Sequence, residues 1–80
     1  MKTVTVQYFA LLREQAGCSE ERVNTGAANP GELFAELRAR RGFSLGRDVL
    51  KVAVNDDFAS WDAVLSEGDR VVFIPPVAGG

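Results

Sequence analysis

No stretch of this 80-residue sequence narrows the choice of folds more than Val71-Val72-Phe73-Ile74, entered through Glu67-Gly68-Asp69-Arg70 and stopped by Pro75-Pro76. A strand wetted on one face alternates apolar and polar residues, whereas an unbroken apolar run suits a strand buried on both faces and central in its sheet. A late strand that is central must slot between strands laid down earlier. The two prolines remove two backbone donors and fix φ, so the sheet is expected to end there and the chain to leave extended.

The rest of the sequence supplies the partners. Thr3 to Tyr8 reads as a strand with Val4, Val6 and Tyr8 on one face and Thr3, Thr5 and Gln7 on the other. Ala10 to Ala16 holds good helix formers and closes on Gly17, so a short helix follows. Glu21 to Thr25 is a weaker strand candidate. The clearest helix signal begins at Asn29, whose side chain can cap, with Pro30 at the first helical position and Glu32 placed to reach back to the cap. Leu33, Phe34 and Leu37 form its apolar face, Glu36 and Arg40 are spaced as an i,i+4 pair, and Gly42 ends it. Lys51 to Asn55 and Phe58-Ala59 read as a hairpin around Asn55-Asp56-Asp57, and Glu67-Gly68-Asp69 as a second tight turn.

Strand, short helix, strand, long helix, hairpin and a central last strand describe an α+β fold of the β-grasp (ubiquitin-like) type. A mixed sheet packs there against one main helix. The expected organisation is one domain over residues 1–80, with 75–80 as an extended tail ending in a flexible Gly-Gly.

Composition excludes several functions. A formal charge of −2 argues against nucleic acid, whose phosphates call for concentrated Lys and Arg. Arg38, Arg40, Arg41, Arg47 and Lys51 are local and interrupted, which suits a solvated face or a patch for an acidic partner. One cysteine, Cys18, cannot make an internal disulfide, and with no histidine in the chain it lacks the usual means of activation, so it reads as passive. The opening residues alternate instead of forming an apolar leader, and no stretch is long enough to span a bilayer, so a cytoplasmic location and no membrane partner are expected. Asp56 and Asp57 read as turn residues, without the further ligands a metal needs. Trp61 reads as a packing residue under a loop.

What remains is the tail. Gly79-Gly80 carries no Cβ, so it can thread a channel too narrow for side chains and present an unhindered carbonyl carbon. The six residues from Pro75 to Gly80 reach about 20 Å when extended. A frayed end is the plain alternative, against which stands the stiff Pro-Pro exit from a buried strand. An α-carboxylate is an anion at neutral pH and a poor electrophile until activated, for example as a mixed anhydride with AMP. The sequence has no phosphate-cradling glycine loop, so ATP would be used by an activating partner, and no cofactor or metal is expected on this chain. Once activated, the acyl group can pass to an amine or take up sulfur as a thiocarboxylate.

The segment from Leu65 through Gly79-Gly80, the opening Tyr8-Phe9-Ala10-Leu11-Leu12-Arg13-Glu14-Gln15-Ala16-Gly17, and Ala53-Val54-Asn55 closely resemble the small subunit of molybdopterin synthase, the MoaD-like sulfur carriers of the MoaD/ThiS ubiquitin-like family. The resemblance spans most of the chain, and the tail is its specific part. It implies that Gly80 is adenylated by an E1-like, MoeB-like adenylyltransferase and converted to a thiocarboxylate, with a sulfurtransferase as the sulfur source. The loaded tail, Pro75, Pro76, Val77, Ala78 and Gly79, would thread the active site of a MoaE-like large subunit. There it would give sulfur to cyclic pyranopterin monophosphate, forming the dithiolene in molybdenum cofactor biosynthesis. The assembly implied is a heterotetramer, and the chain is a carrier subunit, not an enzyme alone. By position, Phe9, Phe58 and Ile74 are either the apolar contacts that dock on the large subunit or plain core residues. Competing readings are a sulfur carrier for thiamine thiazole or tRNA thiolation, a ubiquitin-like protein modifier, and a β-grasp interaction module. Thiazole carriers tend to be shorter and generally lack the Pro-Pro-Val tail.

Overall fold

The computed structural model describes residues 1–76. Its elements run β1 (Lys2–Tyr8), α1 (Ala10–Ala16), β2 (Glu20–Thr25), α2 (Pro30–Arg41), a 3-10 turn (Arg47–Val49), β3 (Lys51–Val54), β4 (Asp57–Ala59) and β5 (Arg70–Ile74). The sheet order is β2-β1-β5-β3-β4, so the last strand is the middle one. It runs parallel to β1, with Val6 opposite Val71 and Tyr8 opposite Phe73, and antiparallel to β3, with Val52 opposite Phe73 and Lys51 opposite Ile74. This mixed sheet is the α+β architecture the apolar run required.

Alternation along the strands builds the core. Val4, Val6 and Tyr8 of β1, Val71 and Phe73 of β5, and Val52 of β3 are buried on one face, against Leu33, Phe34 and Leu37 of α2 and Leu12 and Ala16 of α1. Phe73 is the hub: its ring lies 5.1 Å from Phe34 at 67° and 6.0 Å from Trp61 at 10°. Trp61 is thus a packing residue, as its sequence context suggested. Full burial of a side chain like Phe73 is worth about 2–3 kcal/mol relative to exposure.

The long helix starts as its sequence signals require. Asn29 Oδ1 accepts from the Glu32 amide at 2.8 Å, and Pro30 occupies the first helical position. Glu32 reaches one residue further than expected, accepting from the amide of Ala28 instead of the capping residue. Gly42 ends the helix at φ 72°, its amide returning to the Arg38 carbonyl. The Glu36–Arg40 pair forms at 3.0 Å.

The β3–β4 hairpin turns on two residues, Asn55 at φ 52° and Asp56 at φ 73°. Positive φ at both central positions makes the turn type I′, whose twist matches that of the flanking strands. Asp57, read from sequence as part of the turn, is instead the first residue of β4, because two residues suffice to reverse the chain.

Candidate docking face and tail root

Both helices lie on the same side of the sheet, so the alternate residues of every strand point away from the core. On that open side one row of register runs from Phe58 on β4 through Ala53 on β3 and Val72 on β5 to Gln7 on β1. Ala53 and Val72 are buried, whereas Phe58 is 76% exposed. An exposed phenylalanine on a sheet face that no helix covers is a candidate contact residue for a partner.

The three residues left open between docking and core are now placed. None belongs to the core cluster. Ile74, the last residue of β5, is half-buried and alternates with Phe73 onto the open side. Phe9 is 44% exposed and continues β1 by one extended residue (φ −129°, ψ 155°), so the pleat turns it away from buried Tyr8 and toward the face that carries Ile74. The backbone then breaks sharply at Ala10, which sits at φ 51° in the left-handed region. An L-residue with a Cβ enters that region at a cost of about 1–2 kcal/mol. Sequence reading gave no hint of this bend, since Ala is the best helix former and carries no turn signature.

β1 and β5 are parallel and β3 is antiparallel to both, so Phe9, Ile74 and the start of β3 meet at one end of the sheet. The chain leaves β5 at this same end through Pro75, half-buried, and exposed Pro76. Val77, Ala78, Gly79 and Gly80 lie outside the described residues.

Charge on the open side is unevenly spent. Arg70 at the start of β5 is held by Glu20 at 3.0 Å and reaches Gln7 at 3.4 Å. The basic stretch flagged in the sequence is largely internal wiring elsewhere: Arg40 pairs with Glu36, Arg41 with Glu21 at 2.6 Å, and Arg38 Nε donates to the Phe43 carbonyl. Arg41 belongs to a network that sequence reasoning missed entirely. The buried Tyr8 hydroxyl donates to Glu21 at 2.6 Å, and Arg41 clamps the other carboxylate oxygen while also donating to the Ala16 carbonyl at 3.2 Å. Burial, then the hydrogen bond to Glu21, pushes the Tyr8 phenol far above its ordinary range. For Glu21, burial alone would raise the carboxyl, but the bonds from Tyr8 and Arg41 outweigh it and hold it below its usual range. The network fixes the end of β1 immediately before Phe9.

Cys18 is half-buried and packs against the core. Among the described residues no group of three or more Cys, Asp or Glu side chains is arranged to hold a metal, and no helix is long and apolar enough to cross a membrane.

The model of the ThiS family matches residues 6–80, which takes in the end of β1 and every element after it. The chain belongs to the ThiS family. It is 34% identical to the molybdopterin synthase sulfur carrier subunit of Escherichia coli over 96% of this chain and 99% of that protein. Among solved ThiS-like folds, SAMP1 of Haloferax volcanii superposes with a TM-score of 0.81 at 28% identity, covering 98% of this chain and 99% of that one. A chain of the complex of subunits 1 and 2 of the molybdopterin-converting factor of Helicobacter pylori superposes with a TM-score of 0.68 at 26% identity, over 98% and 99% of the two chains. These neighbours bear out the ubiquitin-like β-grasp reading and the resemblance to molybdopterin synthase small subunits.

Proposed function

We propose that this ThiS-family chain is the sulfur-carrying small subunit of a molybdopterin synthase. The observation that carries the reading is the meeting of a helix-free sheet face, bearing Phe58, Ile74 and Phe9, with the root of the tail at one end of the sheet. A partner that covers Phe58, Ile74 and Phe9 receives the chain leaving Pro75-Pro76 directly at its surface. The sheet then acts as a rigid handle, and the partner supplies the channel. The full-length relation to a curated sulfur carrier subunit, and a structural neighbour from a complex of subunits 1 and 2, support the same assignment.

In this reading Gly80 is the reacting residue. An E1-like adenylyltransferase joins its carboxylate to AMP, releasing pyrophosphate. The persulfide sulfur of a sulfurtransferase attacks the carbonyl and expels AMP, and a thiol then cleaves the resulting acyl disulfide, leaving the thiocarboxylate and a new disulfide. Val77, Ala78 and Gly79 thread the large subunit, where the sulfur passes to cyclic pyranopterin monophosphate and Gly80 returns as a carboxylate. The carrier binds no cofactor of its own and works in the cytoplasm.

Intact-mass measurement of the chain purified from its own cells tests this directly. Replacement of one terminal oxygen by sulfur is the expected result, together with loss of that form when Gly80 is deleted. A ladder of lysine conjugates in place of the sulfur form would favour a protein modifier. That second reading has one specific support, the likeness to SAMP1, whose name describes a small archaeal modifier protein.

A further inference from the structure

We propose that Lys51 is a selective anchor on the docking face, taking a partner segment that sets a carboxylate next to the ammonium while its apolar atoms cover the neighbouring ring of Phe58. Lys51 is the first residue of β3 and stands directly opposite Ile74, the last residue of β5. Its side chain therefore rises at the tail root, on the open side of the sheet. Beside it lies a cleft of about 320 Å³ lined by Leu50, Lys51, Val52, Phe58, Ala59 and Trp61. Leu50, Val52 and Trp61 belong to the core side and Lys51 and Phe58 to the open side, so the cleft opens at the edge of the sheet, with the exposed ring of Phe58 as the wall nearest Lys51.

The charge on this face decides which occupant fits. Arg70 is already committed to Glu20, and Glu20 to Arg70. Lys51 is a cation on the same side with no carboxylate within 4.0 Å among the described residues. Any protein that covers Phe58 and Ile74 must also strip water from this ammonium. An ammonium desolvated without a counter-ion opposes association, whereas one matched by a carboxylate in a drying interface gains a charge-assisted hydrogen bond. Lys51 thus turns a generic apolar patch into one that discriminates. It admits a partner with an acidic side chain at the matching point and disfavours a second copy of this chain, which would bring a second ammonium. The exposed ring of Phe58 adds the apolar anchor that interface centres typically use.

This anchor rests on the docking-face reading above, and the test separates the two. Binding of the large synthase subunit encoded by the same genome is titrated calorimetrically against the native chain, Lys51→Glu, Lys51→Met and Phe58→Ala, each at low and at physiological salt. The expected pattern is a loss of at least about 100-fold for Lys51→Glu, about tenfold for Lys51→Met with most of the salt dependence gone, and a clear loss for Phe58→Ala. Reversing an acidic residue of the large subunit to Lys should restore binding of Lys51→Glu. If both Lys51 variants bind like the native chain while Phe58→Ala is weakened, the anchor is wrong and the docking face stands. If the native chain does not bind, or Phe58→Ala binds unchanged, the docking face itself is wrong and the anchor falls with it. Lys51 is exposed, so thermal melts of its variants should match the native chain, confirming that affinity and not folding is read.

Discussion

The hydroxyl of Tyr8, buried at the end of β1, donates to a carboxylate oxygen of Glu21 on edge strand β2 at 2.6 Å, and Arg41 from the last turn of α2 grips the other oxygen at 2.6 Å. Three elements far apart in sequence are tied at one carboxylate. The Glu21 carboxyl is held below its ordinary 4.5, so its contribution to stability is complete above that pH and is lost as pH falls through the lower folded-state value. Glu21→Gln should cost on the order of 2 kcal/mol at pH 7, where a charged acceptor is replaced and Arg41 loses its partner. Thermal melts from pH 7 down to about pH 3 should show the gap between native and variant closing toward acid. A gap of constant size would mean that the ionised carboxylate is not what stabilises.

Asn55 makes a second long-range tie. Its side chain donates to Asp69 at 3.0 Å and accepts from the Arg70 amide at 3.0 Å, while its own backbone sits at φ 52°. Asn tolerates that region better than most residues and here also joins the hairpin to the start of β5. Asn55→Ala should destabilise by about 1–2 kcal/mol in denaturant unfolding, and Asn55→Gly by less, because glycine relieves the backbone term but restores neither hydrogen bond. Equal losses for the two variants would show that the conformation at this turn contributes nothing.

Local rules carried the sequence reading a long way, and the reason lies in particular residues. Asn29, Pro30 and Gly42 bracket α2 because capping chemistry is written within a few positions, and the unbroken Val71–Ile74 run forced a central strand because burial on both faces leaves no polar slot. The open face was legible only by implication, through a single long helix and a sheet with two sides. The Tyr8–Glu21–Arg41 network was not legible at all, since 13 residues separate the first pair and 20 the second, and nothing in spacing brings them together. Nor was the bend at Ala10, which the tertiary fold imposes against local preference.

That bend yields a prediction of its own. Ala10 at φ 51° carries strain that glycine would not, although glycine also adds freedom to the unfolded chain. Ala10→Gly should therefore be neutral or stabilising, within about 1 kcal/mol, whereas Ala10→Val, branched at Cβ, should destabilise by more than about 1 kcal/mol. Chemical denaturation of the pair against the native chain measures both. A valine variant as stable as the native chain would mean that the left-handed conformation at Ala10 is not maintained in solution.

Phe58 and Phe73 should respond oppositely to truncation. Phe73 is fully buried at the centre of the aromatic cluster, so Phe73→Ala should cost about 3–5 kcal/mol, enough to unfold much of the population of a chain this short. Phe58 points away from the core at 76% exposure, and Phe58→Ala should leave the melting temperature unchanged within about 0.5 kcal/mol of stability. Its effect belongs to association: an aromatic buried in an interface is the kind of residue whose removal costs more than about 1–2 kcal/mol of binding, roughly tenfold or more in Kd. Melting curves and titration against the large synthase subunit, run on the same preparations, read the two quantities separately. A Phe58→Ala chain that melts early would place this ring in the stability of the β3–β4 hairpin, and one that both melts and binds like the native chain would remove it from the docking face.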